Sequence, residues 1–100
     1  MKGLNLVKEY RWNNDKNQLL QQELQQERGI SFENVVQAIS DGNLIDDIKN
    51  PNSEQYPNQL TFIIEIRGYI YCVPYIESDS IIFLKTIFPS RKMKKRYLGA

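Results

Sequence analysis

The fold of this chain is decided by residues 81–97, which read IIFLKTIFPSRKMKKRY. The first eight residues are mostly apolar, with the β-branched and aromatic side chains that strands prefer. Pro89 and Ser90 end this run, and the next seven residues hold five cations and a final tyrosine. The stretch therefore predicts a core strand that passes directly into a short basic helix.

Charge is distributed unevenly about this stretch. Residues 1–84 carry seven Lys or Arg and twelve Asp or Glu, a net charge of −5. Residues 85–100 carry six cations and no acid, a net charge of +6. An acidic body with a basic end favours an anionic partner at that end, and a solvated basic helix is the alternative that composition leaves open.

Composition also excludes several classes of chemistry. The 100 residues suffice for one domain with a modest core, and we expect a single domain over 1–100. The absence of histidine excludes His acid–base pairs, Ser-His-Asp triads and most zinc sites. Cys72 is the only cysteine, so we expect no disulfide and no cysteine metal cluster. We also expect no other metal and no cofactor. No apolar run reaches the ~18 residues of a membrane helix and no signal peptide is evident, which predicts a cytoplasmic protein with no membrane partner.

The N-terminal part predicts a strand and then a polar helix. Apolar and polar residues alternate imperfectly over 4–12, as in a short strand with one buried face. A helix is predicted over 16–28, with N-cap formers before it and Gly29 as its stop. Within it the sequence LQQE occurs twice in succession over 20–27. This duplication adds about one helical turn, ~6 Å, and keeps nearly the same face.

A second helix is predicted to begin at Ser31, a preferred N-cap residue, with the acidic Glu33 in its first turn. Ile30 and Val35 have the spacing of a hydrophobic staple, and an apolar stripe continues at helical spacing to Ile39. We therefore expect two antiparallel helices joined through a short turn.

Four strand-like runs follow, at 44–48, 60–67, 69–76 and 80–88. Short gaps between the last three favour an antiparallel meander. Pro74 cannot donate to a ladder, so pairing should break near it if its strand is central. The predicted fold class is α+β, with two N-terminal helices on one face of a twisted antiparallel sheet of three to five strands, and a short basic C-terminal helix. The other face should remain partly open, as a concave polar surface near the basic end.

Three motifs occur in an order that is typical of one family. Tyr10-Arg11-Trp12 is followed by Lys16, and RGISFE occupies residues 28–33. PSRK at 89–92 precedes RY at 96–97. Together these resemble the BrnT-type toxins, which have an aromatic-x-Trp and a Lys, a Gly-Val-Ser-Phe-Glu helix start, and a Ser-Ala-Arg-Arg ending with a final Tyr. The resemblance spans roughly residues 10–97. The family's usual His is Arg28 here, the first helix is one turn longer, and the basic segment is shorter.

The resemblance implies a RelE-like fold and the toxin of a type II toxin–antitoxin pair. It implies an endoribonuclease that cleaves mRNA without a metal and so halts translation. The cleaved mRNA would be either free or bound to the ribosome. It also implies a cognate antitoxin as partner, often with a ribbon-helix-helix part. Operator DNA would be bound only through the complex with that antitoxin.

Cleavage of RNA by its own 2′-OH needs a phosphate held in line, neutralisation of the developing charge, and proton transfer. Arginine suits the first two because its planar fork binds phosphate through two hydrogen bonds. Without histidine, proton transfer is left to Glu, Lys or Tyr. The candidate catalytic residues are Arg91, Lys92, Lys16, Lys85 and Tyr97. The candidate RNA-binding residues are Arg67, Lys94, Lys95 and Arg96.

Three hypotheses of function stay open at this point. The first is the toxin ribonuclease, and the second is a non-catalytic module that binds RNA or the antitoxin, which the missing histidine favours. The third is a structural domain with a basic end that only aids solubility. Single candidates have structural alternatives too: Lys16 as a solvated helix residue, Lys85 as a charge protecting a sheet edge, and Tyr97 as a hydrophobic cap on the sheet.

Overall fold

In a computed structural model that describes residues 8–25, 30–49 and 59–99, the chain forms three helices and a six-stranded mixed sheet. In chain order the elements are β1 (Glu9–Arg11), α1 (Asn14–Gln25), α2 (Phe32–Ser40), β2 (Leu44–Lys49), β3 (Leu60–Ile66), β4 (Tyr69–Glu77), β5 (Ile81–Leu84), β6 (Phe88–Pro89) and α3 (Arg91–Leu98). The strand order is β1-β5-β4-β3-β2, and β6 pairs with β4 beyond β5.

The α+β class and the order of the elements are as predicted, but the sheet has six strands instead of three to five and is not purely antiparallel. The meander of β3, β4 and β5 is antiparallel, and β1 then pairs with β5 in parallel. Tyr10 of β1 lies opposite Ile82 of β5, and both pack against the main core. β1 is thus added to the meander as an edge strand beside β5, and this position packs its apolar face against the main core. The predicted residues of this strand at 4–7, the helix end at Gly29 and the loop at 50–58 lie outside the described residues.

Helices α1 and α2 cover one face of the sheet, and the main core lies beneath them. Ser31 caps α2: its hydroxyl accepts a hydrogen bond from the Asn34 amide, and the Asn34 side chain accepts one from the Ser31 amide. The N-cap predicted at Ser31 is therefore confirmed. Phe32, fully buried, stacks on Trp12 with ring centroids 5.6 Å apart. The strands contribute Phe62, Ile64, Ile66, Tyr71, Val73, Tyr75 and Leu84.

A buried asparagine fixes α1 against α2. The Asn17 side-chain oxygen accepts a hydrogen bond from the Phe32 amide at 2.8 Å, and its side-chain NH₂ donates to Glu33 at 2.8 Å. The first of these bonds satisfies an amide that has no partner within its own helix. The second bond is the main cause of the lowered pKa of the Glu33 carboxyl. The polar helix α1 is therefore held by a specific polar contact as well as by the buried side chain of Leu20.

The opposite face of the sheet, which was expected to stay partly open, is partly covered by α3, so the three helices lie on both faces of the sheet and not on one. Ile63, Ile70 and Cys72 form a second, smaller core there, and Met93 and Tyr97 of α3 pack against it. The physical reason is that the central strands β3 and β4 are apolar on both faces, so each face requires a cover. Met93 and Tyr97 are spaced i, i+4, which places both on the inner side of α3.

A β-bulge divides the strand that was predicted over 80–88. Tyr75 of β4 pairs with Leu84, whereas Cys72 pairs with Phe88, so one extra residue lies in the strand opposite β4. Pro74 is opposite the bulge and accepts a hydrogen bond from the Lys85 amide at 2.8 Å. Pro74 has no N–H with which to donate a second hydrogen bond to the facing strand, which explains why the ladder breaks here. The expectation that pairing breaks near Pro74 is confirmed.

Candidate functional site

An open pocket of about 430 Å³ lies at this bulge. Lys85 and Thr86 of the bulge line it together with Pro74 of β4, Lys16 of α1 and Gln59, which precedes β3. Two of the predicted catalytic residues, Lys16 and Lys85, are therefore brought together although 69 positions separate them in the chain.

Local structure explains how each lysine reaches the pocket. The Asn13 side chain accepts a hydrogen bond from the Lys16 amide at 2.9 Å, which caps α1 and places Lys16 in its first turn. Lys85 is exposed, with its Nζ 5.9 Å from the centroid of the Phe83 ring. A bulge redirects the side chains of its strand, and here Lys85 and its neighbour Thr86 both line the pocket.

The lining of this pocket favours an anion. Among the described residues no acid lines it, and the two salt bridges found in that part of the chain, Lys8–Glu77 and Arg11–Glu9, lie elsewhere. The ammonium groups of the two lysines and the hydroxyl of Thr86 are donors that suit a phosphate. The pocket can therefore hold a phosphate and stabilise charge on it.

The cations of α3 form a second basic surface. Arg91, Lys92, Lys95 and Arg96 are exposed, and no acid forms a salt bridge with them in the described ranges. Lys94 is half-buried, with its Nζ 5.3 Å from the centroid of the Tyr69 ring. Ser90 caps the helix by accepting a hydrogen bond from the Met93 amide, and Gly99 ends it in the left-handed conformation, with φ 74°. The helix thus presents four of its five cations to solvent while its inner side packs on the sheet.

Tyr97, a predicted catalytic residue, anchors α3 to the edge strand β2. Its hydroxyl donates a hydrogen bond to Asp46 at 2.7 Å. This bond is the main cause of the raised pKa of Tyr97 and of the lowered pKa of Asp46. The neighbouring Asp47 accepts a hydrogen bond from Tyr75 on the opposite face, because successive side chains of a strand point to opposite sides. The Tyr97 hydroxyl is thus already occupied and holds its proton more tightly than a free phenol.

This hydrogen bond predicts a particular pH dependence for the Tyr97→Phe variant. The lowered pKa of Asp46 contributes stability above the unfolded value near 4, and that stability is lost as the pH falls through the folded pKa. The raised pKa of Tyr97 contributes stability below about 10, and this is lost as the pH rises through the folded pKa. Urea unfolding should therefore show wild type more stable than Tyr97→Phe near neutral pH, with the difference shrinking towards both extremes. A difference that does not change with pH would contradict the bond.

Arg67, predicted to bind RNA, lies apart from the pocket. It occupies the turn between β3 and β4 with φ 54°, next to Gly68 with φ 77°, as a two-residue hairpin of the I′ type requires. Gln59 precedes β3 and Arg67 follows it, so the seven residues of the strand, roughly 23 Å, separate them. Arg67 instead lines a smaller pocket with Asp41 and Glu65.

Apolar side chains on the α3 side of the sheet are exposed on both sides of the bulge, although the stretch at 81–88 was predicted to form a core strand. Ile76 and Phe88 are 40% and 46% exposed, and Phe83 is half-buried. The face that was predicted to be a polar surface therefore combines exposed apolar side chains with the lysine-lined pocket at the bulge. The signal was present in the alternation, since Lys85 shares its parity with Phe83 and a charge on that parity indicates a partly exposed face.

Comparisons of the chain with protein-family models, with curated proteins and with solved structures find no significant match. Within 8–25, 30–49 and 59–99, none of the helices has the length and apolar character needed to cross a membrane.

Proposed function

We propose that this protein is the toxin of a type II toxin–antitoxin pair, with a RelE-like variant of the α+β fold, and that it cleaves mRNA in the cytoplasm and so inhibits translation. The observation that supports this most is the meeting of Lys16 and Lys85 at one pocket whose described lining contains no acid. The motifs at Tyr10-Arg11-Trp12 and 28–33 support the toxin class, since they resemble the BrnT type.

In this proposal the pocket holds the scissile phosphate and α3 holds its neighbours. Lys16 and Lys85 neutralise the charge that develops on the phosphate, and Thr86 offers a hydrogen bond to one of its oxygens. Arg91 and Lys92 of α3 bind the phosphates that flank it. General acid–base catalysis contributes about 10²–10⁴-fold in typical enzymes, so a site without histidine should turn over slowly and depend on charge and positioning.

The cognate antitoxin is the proposed protein partner. It would neutralise the toxin by covering these cations, and a ribbon-helix-helix part would bind operator DNA, so that this chain reaches DNA only through the complex. RNA is the proposed substrate, either free or on the ribosome.

A non-catalytic RNA- or antitoxin-binding module is the second candidate. The observation that favours it is the engagement of the Tyr97 hydroxyl by Asp46, which leaves only the two lysines as titratable groups among the described pocket residues. Incubation of the purified protein with RNA, with and without ribosomes, separates the two candidates. Cleavage in either condition supports the toxin ribonuclease, whereas salt-sensitive binding without cleavage supports the module.

Replacing Arg91 and Lys92 together by alanine should relieve the growth arrest that wild type causes when expressed in a bacterial host. The same variant should bind single-stranded RNA more weakly, and the slope of log affinity against log salt should fall by about 1.4, because two phosphate contacts are lost. Both residues are exposed and alanine favours helices, so folding should be unaffected.

The matched control for this variant is Lys49→Ala. Lys49 is an exposed cation at the end of the edge strand β2 and lines neither pocket. It should arrest growth like wild type. Unchanged arrest by the folded Arg91→Ala, Lys92→Ala protein would rule out Arg91 and Lys92 as part of the site.

A further inference from the structure

We infer that the apolar strip beside the bulge is a stacking site for the bases of single-stranded RNA, with Phe88 as the stacking residue. The strip consists of Phe88, Phe83 and Ile76. This inference rests on the proposed function, because it names the form of RNA that the site would accept.

The strip lies on the face of the sheet that carries α3. Phe88 pairs with Cys72, which belongs to the core beneath α3, and Ile76 pairs with Phe83. Cross-strand partners share a face, and Lys85 follows Phe83 with the same parity. The three side chains of the strip are thus presented on one side of the sheet.

Phe88 is the most exposed aromatic side chain of this strip, at 46%. Lys85 precedes it by three residues and Arg91 follows it by three, so each Cα lies at most about 11 Å from that of Phe88. The exposed ring of Phe88 thus lies between two cations in the chain. Such an arrangement suits one stacked base, with a cation for the phosphate on each side of it.

Single-stranded nucleic acid sites combine these two elements. Cations follow the phosphate backbone, and aromatic rings stack on bases that are not paired. A base in a duplex is already stacked on both sides, so an exposed ring of this kind selects single strands. The Lys16–Lys85 pocket at the same bulge would then receive the phosphate adjoining the stacked base.

The test measures binding of a labelled single-stranded RNA of about 12 nucleotides by wild type and by three variants, Phe88→Ala, Phe88→Leu and Phe88→Trp. Inorganic polyphosphate serves as an anion without bases. Phe88→Ala and Phe88→Leu should each weaken RNA binding by about 5- to 100-fold, while Phe88→Trp retains it, because only an aromatic ring can stack. Polyphosphate binding and the salt slope of RNA binding should stay unchanged.

Three results would overturn the stacking site. One is RNA binding by Phe88→Ala equal to that of wild type. Another is RNA binding by Phe88→Leu equal to that of wild type, which would point to an apolar docking surface for a protein instead. The third is a loss of polyphosphate binding by Phe88→Ala that is as large as its loss of RNA binding. Each leaves the proposed function standing as long as wild type binds RNA. If wild type binds no free RNA, the stacking site fails, and the proposed function fails with it only if wild type also cleaves no RNA on ribosomes. Stacking without cleavage keeps the site and favours the non-catalytic module.

Discussion

The double variant Lys16→Ala, Lys85→Ala is expected to cleave RNA about 10²- to 10³-fold more slowly than wild type. Loss of a single preorganised donor to a transition-state charge costs an enzyme about that much. The two lysines share one pocket whose described lining holds no acid and no other cation, so no neighbouring cation replaces them. Rates of cleavage under single-turnover conditions, with and without ribosomes, provide the measurement.

Two further proteins make this result interpretable. Lys85→Arg keeps the charge at the bulge and should retain most of the activity, whereas Lys49→Ala removes an exposed cation elsewhere and should retain all of it. Lys85 is exposed and Lys16 is half-buried at the surface, so the thermal midpoints should be nearly equal. If the folded double variant cleaves at the wild-type rate, this pocket is not where the chemistry occurs.

The Phe32→Ala variant should lose about 3–5 kcal/mol of unfolding free energy, the usual cost of emptying a buried phenylalanine site. Phe32 is fully buried, stacks on Trp12, and its amide is bonded to Asn17, so the neighbours that would have to close the cavity are held in place. Total stability for a domain of this size is about 5–15 kcal/mol, so a large part of it would be lost. The midpoint of urea unfolding should fall while its slope stays constant.

The chain offers a control with the same chemical change. Phe88→Ala removes an identical side chain that is 46% exposed, and it should shift the unfolding free energy by no more than about 0.5 kcal/mol. Phe32→Leu keeps most of the volume and should cost less than about 1.5 kcal/mol. Similar losses at positions 32 and 88 would show that burial does not distinguish them.

Much of the local structure was predictable because it depends on neighbours in the chain. Ser31 begins a helix since its hydroxyl can reach an amide three residues on, whatever the rest of the fold does. Pro74 interrupts pairing because it lacks a donor in any fold. The basic helix after Pro89 and Ser90 likewise follows from a break and a cap. These features predicted the α+β class and the order of its elements.

The candidate site was predictable only in part, for a related reason. Charge and motifs indicated Lys16, Lys85 and the α3 cations one by one, but nothing local indicates which of them lie together. The bulge unites Lys16 with Lys85, and the length of β3 separates Arg67 from them. The partner of Tyr97 is Asp46, 51 residues earlier, and that contact decides what its hydroxyl can do.

The sequence by itself thus determined the helix start at Ser31, the break in pairing near Pro74, and the gathering of cations in residues 85–96. Only the tertiary structure decided that α3 covers the second face of the sheet, that β1 joins it in parallel, and that Phe88 between the bulge and α3 stays exposed. The physical reason is the distance along the chain over which each interaction acts. Caps, breaks and propensities act over three or four residues, whereas the choice of face and neighbour depends on burying apolar surface contributed by the whole chain.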